Sequence, residues 1–535
     1  MQTEVVTLGL PSLVFLQSFT VFPEYFISVS IIYVLIVVTL ITYNVYGLLV
    51  QRAVSECIGL TLLMACYLMI NDDLICLNFL TFSNSIVNDY FGFFTKFLVC
   101  FFSSLFFFNI AESLKEQKLT SFEYLLILLF AVLGLMLLCS SNDLLIAYLS
   151  IELFSLACYI LAAFKKTSTY SIESGIKYFI VGAISSAFFL LGTSFIYILT
   201  GSINFTDLFD LFECSTLYEL PYQHIDSGKN FLTLFDGTWV NTDLESCEFF
   251  NYDFTELGLT LILFSLFIKL ALAPFHLWSL DVYEGSPTTS TFFFAVIAKL
   301  SIFVLLVRLC YISFFSLKDS WQFYSLWVGV FSIFVGSFGG LKQRKLKTLL
   351  AYSSVSHMGY ILIAFSTGTY LGIQMFLFYL IIYMISGLCV WSIFLFTRLK
   401  RTNTEKYNKE LGDLVLLRKS NATLAFSFSL VMFSIAGIPP LVGFIAKLGI
   451  FLGVIGISFY FVALTSILFS VVSTFYYIRV IKVLYFENIL VGKLYYPINT
   501  GKTILLSLLI FSLSFLFINP TLLYLLNDRV LLSLI

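Results

Sequence analysis

The sequence alternates between long apolar runs and short polar loops along almost its whole length. A helix needs about twenty apolar residues to cross the hydrocarbon core of a bilayer, and about fourteen stretches qualify. The predicted spans are Phe22–Tyr43, Ala53–Ile70, Phe91–Ile110, Phe122–Leu138, Leu144–Phe164, Gly175–Thr200, Leu257–Ala273, Thr289–Ile312, Trp321–Phe338, Leu346–Phe365, Leu371–Phe396, Leu424–Leu452, Phe459–Leu484 and Thr503–Leu526. The shorter apolar start, Leu8–Val21, is expected to form part of a span or to lie in the membrane interface.

The composition supports an almost fully embedded, all-α polytopic membrane protein. Of the 535 residues, 60% are hydrophobic and only 11% are charged, whereas soluble domains carry about 25% charged residues. This balance excludes a cytosolic enzyme and a disordered chain, because neither could expose so little polar surface. A net charge of -2 provides no general basic field for phosphates, which excludes a nucleic-acid-binding protein.

The loops between the predicted spans alternate in charge. Loops that follow odd-numbered spans are mostly basic, whereas loops that follow even-numbered spans are acidic or neutral; the basic residues are Lys165, Lys166, Lys342, Arg344, Lys345, Lys347, Arg398, Lys400, Arg401, Lys493 and Lys502. The positive-inside rule predicts that these loops face the matrix or cytoplasm. The long acidic insertion Gly201–Thr255 is then expected on the opposite side, as a solvated loop or a small extramembrane cap, and both termini are expected on that side too.

A few charged residues interrupt the predicted spans. Charges near the middle of a bilayer are costly and usually serve a function; here they are Glu152, Lys177, Lys269, Lys299 and Lys447, with His276 and His357 close to the membrane. Lys96 begins a span and is interpreted as a snorkelling residue. Because desolvation disfavours the charged form of lysine and a nearby carboxylate opposes that effect, a Glu–Lys pair followed by further lysines can hold or release protons. Glu152 is expected to contact Lys177 or Lys269, directly or through water.

Two of the predicted spans contain helix-breaking residues next to a lysine. Pro274 follows Lys269 in the seventh span, and Pro439 and Pro440 precede Lys447 in the twelfth. Proline frees a backbone carbonyl, which must find another partner inside a bilayer. Broken spans in corresponding halves of a chain indicate an ion path in a transporter built from inverted repeats.

The sequence contains no recognisable site for a redox group or a nucleotide. It has no phosphate-binding or dinucleotide glycine motif and no Cys/His spacing typical of zinc. Three histidines cannot supply the axial ligands of two bis-histidine haems. We therefore expect no cofactor and no metal in this chain. The energy that drives any transport by it would then come from partner proteins or from an ion gradient.

At these charged positions the sequence resembles the chain 2 family of proton-pumping NADH–ubiquinone oxidoreductase, respiratory complex I. The similar segments are LLIAYLSIELFSL, SGIKYFIVGAISS, FIKLALAPFHLWSLDVYEGSPT, KLKTLLAYSSVSHMGYI, MFSIAGIPPLVGFIAKLGIF and STFYYIRVIK. The similarity covers roughly residues 122–486, and more weakly the ends of the chain. The resemblance implies about fourteen helices, two inverted five-helix repeats and broken seventh and twelfth helices. It divides the chain into N-terminal helices (1–121), a first repeat (122–312), a second repeat (313–486) and a C-terminal helix (487–535).

The same resemblance implies a proton path along buried charges. Its members are the coupling pair Glu152 and Lys177, the first-half Lys269, the bridging Lys299, the second-half Lys447, and His357 near the second half-channel. NADH, FMN, iron–sulfur clusters and ubiquinone would be bound by partner subunits. The long insertion Gly201–Thr255 departs from the family pattern, which leaves its role open.

The resemblance also predicts the surroundings of the chain. The expected partners are a chain 4-like subunit, small core membrane subunits and a phospholipid such as cardiolipin, with no nucleic acid. The expected location is the mitochondrial inner membrane, with a bacterial plasma membrane or a thylakoid as alternatives. A subunit of a multisubunit cation/proton antiporter, the plastid version of the complex, and a structural scaffold with incidental charges remain alternative functions. The segments DVYEGSPT and GIPPLVGF favour complex I.

Overall fold

The computed structural model describes residues 21–42, 47–71, 79–117, 119, 121–218, 252–397, 399–400, 410–415, 417–487, 494–495 and 498–533. Most of the apolar start Leu8–Val21, residues 219–251 of the acidic insertion, and the basic residues Arg398, Arg401 and Lys493 lie outside the described residues.

Helices make up nearly all of the described chain. The first six are α1 (Phe22–Thr42), α2 (Gly47–Ile70), α3 (Tyr90–Glu116), α4 (Glu123–Ser140), α5 (Leu144–Ala163) and α6 (Thr169–Thr200). The next seven are α7 (Phe205–Tyr218), α8 (Tyr252–Leu270), α9 (Leu277–Gly285), α10 (Thr288–Val307), α11 (Lys318–Leu341), α12 (Leu346–Ser366) and α13 (Tyr370–Phe396). The last six are α14 (Leu417–Ser420), α15 (Ala422–Ala436), α16 (Val442–Gly456), α17 (Tyr460–Tyr485), α18 (Thr500–Ile518) and α19 (Thr521–Leu532).

Short non-α elements connect these helices. The strands β1 (Phe79–Thr81) and β2 (Ile86–Asn88) form an antiparallel pair, as do β3 (Leu399–Lys400) and β4 (Leu494–Tyr495). A π-helical turn, Arg308–Ser313, continues α10, and a 3-10 turn, Leu411–Leu414, precedes α14.

Twelve helices in the described residues are long and apolar enough to cross a membrane. The seventh and twelfth predicted spans correspond to the interrupted pairs α8/α9 and α15/α16. The prediction of an all-α polytopic membrane protein is thereby confirmed, whereas the inverted repeats, the broken seventh and twelfth membrane helices and the domain boundaries at 121, 312 and 486 stay predictions.

Polar residues at the ends of the apolar runs fix where the helices begin. Asp89, Ser168, Thr369 and Asn421 each accept a hydrogen bond from a backbone N–H in the first turn of α3, α6, α13 and α15, respectively. These N-caps satisfy donors that a helix leaves free at its start. The polar residues at the ends of these apolar runs therefore mark where the helices begin.

The helix α10 forms the centre of the bundle, because all of its residues from Thr288 to Val307 are buried. By contrast, α1, α6, α17 and α18 expose many apolar side chains, as expected of helices that face lipid or other membrane subunits. Lys299 therefore lies on a helix whose residues are all buried, and its own side chain is buried as well.

Loop contacts assign several connections to common faces of the bundle. Lys345, between α11 and α12, bonds Glu284 near the end of α9, and Lys347 donates to the Ser286 carbonyl, so these connections share one face. On another face, Asp143 before α5 pairs with Asn204 after α6 in an isolated antiparallel bridge.

The described start of the acidic insertion is a packed helix. Phe205, Leu208 and Phe212 of α7 are buried, and the Phe212 ring contacts Phe314 at the end of the π-helical turn. The expectation of a solvated loop is therefore wrong for this part, since every third or fourth residue of α7 is apolar and packs on the bundle.

Candidate functional site

A chain of polar side chains joins α5 to the end of α8 in the first half of the protein. Glu152, Ser155 and Tyr159 are spaced so that they share one face of α5. The Ser155 hydroxyl interacts with the Glu152 carboxylate (3.5 Å) and also with Tyr159. Lys269, in the last turn of α8, donates to the Tyr159 hydroxyl at 3.3 Å and is electrostatically attracted by Glu152. Glu152 thus has a basic group nearby, with Tyr159 between them.

Lys177 does not join this chain. Its ammonium bonds Asp281 of α9 at 2.7 Å and Glu173 at 2.8 Å, and its side chain is 43% exposed. The expected pairing of Lys177 with Glu152 is therefore replaced by an exposed contact between α6 and α9. Lys177 makes this contact because it lies about two turns inside α6, within reach of Glu173 on the same helix and of Asp281 on α9.

Lys299 occupies the centre of the bundle on α10. Its side chain is buried, and the described residues offer its ammonium no hydrogen-bond partner. The ammonium lies 5.7 Å from the centre of the Tyr383 ring, a favourable cation–π distance. Tyr383 is itself fixed by a hydrogen bond to the Ala295 carbonyl, one turn before Lys299.

Lys447 of α16 donates a hydrogen bond to a backbone carbonyl at the break between α15 and α16. Its ammonium donates to the carbonyl of Ala436, the last residue of α15, at 2.8 Å. Carbonyls in the last turn of a helix lack intrahelical partners. The break therefore supplies an acceptor for a buried lysine, and the Tyr360 ring, 5.4 Å from the ammonium, covers its other side.

His357 lies between the two lysines of the centre and the second half. The imidazole is buried on α12 and experiences the charges of both Lys299 and Lys447. Its Nδ1 is 2.6 Å from the Tyr379 hydroxyl and its Nε2 is 3.1 Å from the Tyr477 hydroxyl. One nitrogen of a neutral imidazole donates and the other accepts, so His357 can relay a proton between two hydroxyls.

A small cavity adjoins His357. It measures about 30 Å³ and is lined by His357, Tyr383 and three serines, Ser353, Ser354 and Ser386, among other residues. A polar cavity of this size is large enough for a water molecule. The cavity therefore has room for a water molecule next to His357 and Tyr383.

Aromatic rings connect the first half to the centre. The Tyr178 ring contacts Tyr159 (4.9 Å between centroids) and Phe294 of α10 (5.7 Å). Among the described residues, Lys269 donates a hydrogen bond to Tyr159 and the Lys299 ammonium has no hydrogen-bond partner. The two lysines are therefore not connected by hydrogen bonds in this part of the chain. Glu152 and Lys269 thus lie on either side of Tyr159, whereas Lys299 and His357 share the neighbouring ring of Tyr383. His357 and Lys447 likewise share the neighbouring ring of Tyr360.

The sequence analysis did not predict the tyrosine contacts or two buried ion pairs, Lys96–Glu24 and Arg308–Asp89. The tyrosines that contact the lysines and the histidine are Tyr159, Tyr360, Tyr379, Tyr383 and Tyr477. The sequence does carry a sign of their role, because phenylalanine would satisfy the apolar pattern at these positions, whereas tyrosine adds a hydroxyl group. Lys96 is 3% exposed and bonds Glu24 of α1 at 2.5 Å, so its interpretation as a snorkelling residue is wrong.

Comparisons with known proteins agree with this architecture. The family model described as NADH:quinone oxidoreductase/Mrp antiporter, TM, matches residues 141–473. NADH-ubiquinone oxidoreductase chain 2 of Marchantia polymorpha is 37% identical over 420 residues, 78% of each chain. NADH-quinone oxidoreductase subunit N of Pelagibacter ubique is 36% identical over 468 residues, 88% of this chain and 89% of the relative.

Solved structures share the fold at lower identity. A chain of respiratory complex I from Thermus thermophilus superposes with a TM-score of 0.71 at 24% identity, covering 94% of this chain and 98% of that one. A chain of the Mrp complex from Dietzia sp. superposes with a TM-score of 0.74 at 17% identity, covering 96% of each.

Proposed function

The chain belongs to the NADH:quinone oxidoreductase/Mrp antiporter family, among relatives named chain 2 and subunit N, and we propose that it translocates protons in the membrane arm of a respiratory NADH–quinone oxidoreductase. The observation that carries this proposal is the sequence of buried lysines, histidine and tyrosine hydroxyls across the bundle. A purely structural scaffold has no use for the buried Lys299 and Lys447 and the half-buried Lys269, since each is costly to embed.

In this mechanism Glu152 and Lys269 form the switch of the first half. When the carboxylate attracts the lysine, both remain charged, because breaking a buried pair leaves an uncompensated charge. Drawing Glu152 away weakens the hold on the Lys269 proton, which then moves on towards Lys299. Tyr159 keeps contact with Lys269 during this change, and His357 passes the proton between Lys299 and Lys447.

The chain contributes no redox chemistry in this proposal. NADH, FMN, the iron–sulfur clusters and ubiquinone are bound by partner subunits, and this chain responds to them through charge and conformation. The sequence supports this division of labour, because it carries no recognisable ligand pattern for such groups.

A partner subunit is proposed to cover the face of α5 that bears Glu152. Glu152 is half-buried, and it lies on a stripe of exposed apolar residues, namely Leu145, Leu149, Leu156 and Ile160. Lipid tails would leave such a carboxylate without partners, which is unfavourable. We therefore assign this stripe to a small core membrane subunit, with a chain 4-like subunit and a phospholipid such as cardiolipin elsewhere on the surface, in the mitochondrial inner membrane.

The test is the Glu152→Gln variant in the assembled complex. We expect proton translocation and coupled quinone reduction to fall at least tenfold, since the amide cannot hold the Lys269 charge, while reduction of an artificial acceptor at the flavin site stays normal. Glu123→Gln, an exposed carboxylate in the first turn of α4, is the matched control and should change neither rate. Normal pumping by Glu152→Gln, or purification of the chain without flavin-containing partners, would contradict the proposal.

A further inference from the structure

We propose that Arg308 is a positioning residue for Lys299. The Arg308 side chain anchors the end of α10 to α3 and α4, and this anchor fixes the rotation of α10 that places the Lys299 ammonium next to the Tyr383 ring. The inference rests on the proposed function, because Lys299 is one of the lysines of the proposed proton path. Arg308 would thus act on proton transfer through the position of another residue and not by carrying a proton itself.

The Arg308 guanidinium connects three helices. Its Nη2 donates a hydrogen bond to the Asp89 carboxylate at 2.6 Å, and its Nε donates to the Cys139 carbonyl at 3.1 Å. Asp89 is the N-cap of α3, and Cys139 lies in the last turn of α4. The Phe91 ring lies 5.5 Å from the guanidinium carbon, a favourable cation–π distance. Because a guanidinium holds its donors in a rigid planar fork, these contacts fix the direction of the side chain as well as its position.

The ion pair between Arg308 and Asp89 has little room to shift. The two side chains are 1% and 8% exposed, and the same Asp89 oxygen also accepts a hydrogen bond from the Gly92 N–H at 2.9 Å. A Cβ at Gly92 would lie 2.6 Å from this oxygen and 2.8 Å from Arg308 Nη2, so the close approach requires glycine. Removing either partner would leave an uncompensated buried charge. The start of α3 therefore holds the end of α10 in one place.

Arg308 is also the residue at which α10 changes its winding. It begins the π-helical turn Arg308–Ser313, whose hydrogen bonds span five residues where those of an α-helix span four. An anchor at the first residue of this turn fixes the rotation of α10 independently of the segment that follows. At the other end of α10, Gln117 at the C-cap of α3 and Tyr124 of α4 bond threonine hydroxyls in the first turn. The same two helices thus hold α10 at both ends.

The position of Lys299 depends on this rotation. Lys299 precedes Arg308 by nine positions, about two and a half turns of α-helix, so the two side chains leave opposite sides of α10. The Lys299 ammonium has no hydrogen-bond partner among the described residues, and it lies 5.7 Å from the centre of the Tyr383 ring. That ring also contacts His357 of α12. A different rotation of α10 would therefore move the ammonium relative to both Tyr383 and His357.

The experiment compares Arg308→Lys and Asp89→Asn with the wild type in the reconstituted complex. We expect normal assembly, normal reduction of an artificial acceptor at the flavin site, and about tenfold slower proton translocation, the effect of losing one charged hydrogen bond. The pH at which translocation is half-maximal should also shift by about half a pH unit, because proton binding by Lys299 depends on its contact with the Tyr383 ring. A merely structural role would leave this pH profile unchanged.

Arg418→Lys is the matched control, because it makes the same substitution beside an aromatic ring, that of Tyr485, at an exposed position of α14. Its translocation rate and pH profile should equal those of the wild type. A wild-type pH profile in either assembled variant, or loss of assembly in both, would overturn the positioning role. If Glu152→Gln pumps normally, the proposed function fails, whereas impaired pumping by Glu152→Gln together with a wild-type profile of Arg308→Lys overturns this inference alone.

Discussion

Tyrosine hydroxyls make most of the polar contacts of the buried lysines and histidine. Lys269 bonds Tyr159, and His357 lies between Tyr379 and Tyr477. A hydroxyl both donates and accepts a hydrogen bond, so it can pass on a proton without holding a charge. In an apolar bundle this is less costly than adding further ionised groups.

We predict that Tyr159→Phe lowers proton translocation about tenfold, because one hydrogen bond to a charged group contributes about 1.5–3 kcal/mol. The ring and its packing are kept, so assembly and flavin-site activity should not change. Proton uptake by the reconstituted complex measures the effect. Tyr197→Phe, on the exposed side of α6, should behave like the wild type. If both variants pump normally, the Tyr159 hydroxyl has no part in the path.

Asp143, in the connection between α4 and α5, has a carboxyl group whose ionised form is disfavoured by its surroundings. Burial raises the pKa of its carboxyl to about 6, and the nearby charge of Asp207 adds to the effect. The side chain makes no capping bond to α5, and its Oδ1 has no hydrogen-bond partner among the described residues. Because the folded-state pKa lies above the unfolded value, the folded chain binds the proton more tightly, and stability falls as the pH rises from about 4 to 6.

We predict that Asp143→Asn raises the melting temperature at pH 7.5, because the amide removes a charge that the folded state disfavours. At pH 5 the wild-type carboxyl is largely protonated, so the difference should shrink. Thermal unfolding of the purified chain at both pH values tests this. Asp210→Asn, an exposed residue of α7, serves as the control. A lower melting temperature at pH 7.5 would show that the Asp143 charge stabilises the fold.

At the scale of elements, the break between α15 and α16 also provides the hydrogen-bond acceptor for Lys447. Gly437 ends α15 with a φ of +81°, in the left-handed region that favours glycine. The chain can therefore turn away and leave the Ala436 carbonyl to Lys447. A Cβ at Gly437 would lie 2.8 Å from the Lys447 side chain, so the turn and the lysine position depend on each other.

We predict that Gly437→Ala destabilises the protein by about 1–2 kcal/mol, the cost of a left-handed residue with a Cβ. Proton translocation should fall more than assembly, because the new methyl group displaces Lys447. Gly453→Ala is the control within α16, where a Cβ meets open space and should be neutral or slightly stabilising. Equal melting temperatures for wild type and Gly437→Ala would contradict this account.

At the scale of the whole molecule, the loops sort onto two faces by charge. Lys165, Lys345 and Lys347 surround one cavity, and Lys502 at the start of α18 bonds Glu112 in the last two turns of α3. Asp143 and Asn204 meet at another point, where α7 docks. The structure thereby places Lys165, Lys345 and Lys347 together, while the side of the membrane that each loop faces stays a prediction.

We predict opposite labelling of the two faces. Lys342→Cys should react with a membrane-impermeant thiol reagent only from the matrix or cytoplasmic side, and Asp210→Cys only from the other side, since both positions are exposed. Sealed vesicles of defined orientation give the measurement, and unmodified chain corrects for native cysteines. Labelling of both positions from the same side would refute the predicted topology.

The order of the membrane helices was predictable from the sequence, whereas twelve described helices, not about fourteen, are long and apolar enough to cross a membrane. The sequence also marks the places beside Lys269 and Lys447 at which α8 and α15 end. The physical reason is that a bilayer imposes a length on apolar runs and penalises proline, glycine and charge within them, so that each feature is readable locally. The same reasoning identified Glu152, Lys299 and His357 as residues that need an explanation.

Only the tertiary structure decided which groups meet. The pairing of Lys177 with Asp281, of Lys96 with Glu24, and of His357 with two tyrosines depends on how helices far apart in the chain rotate and pack. Apolar helices in lipid have no strongly amphipathic face that reveals this rotation, so side-chain partners follow from close packing between helices. The sequence therefore determined which residues carry charge into the membrane, while the packing determined where each charge finds its partner.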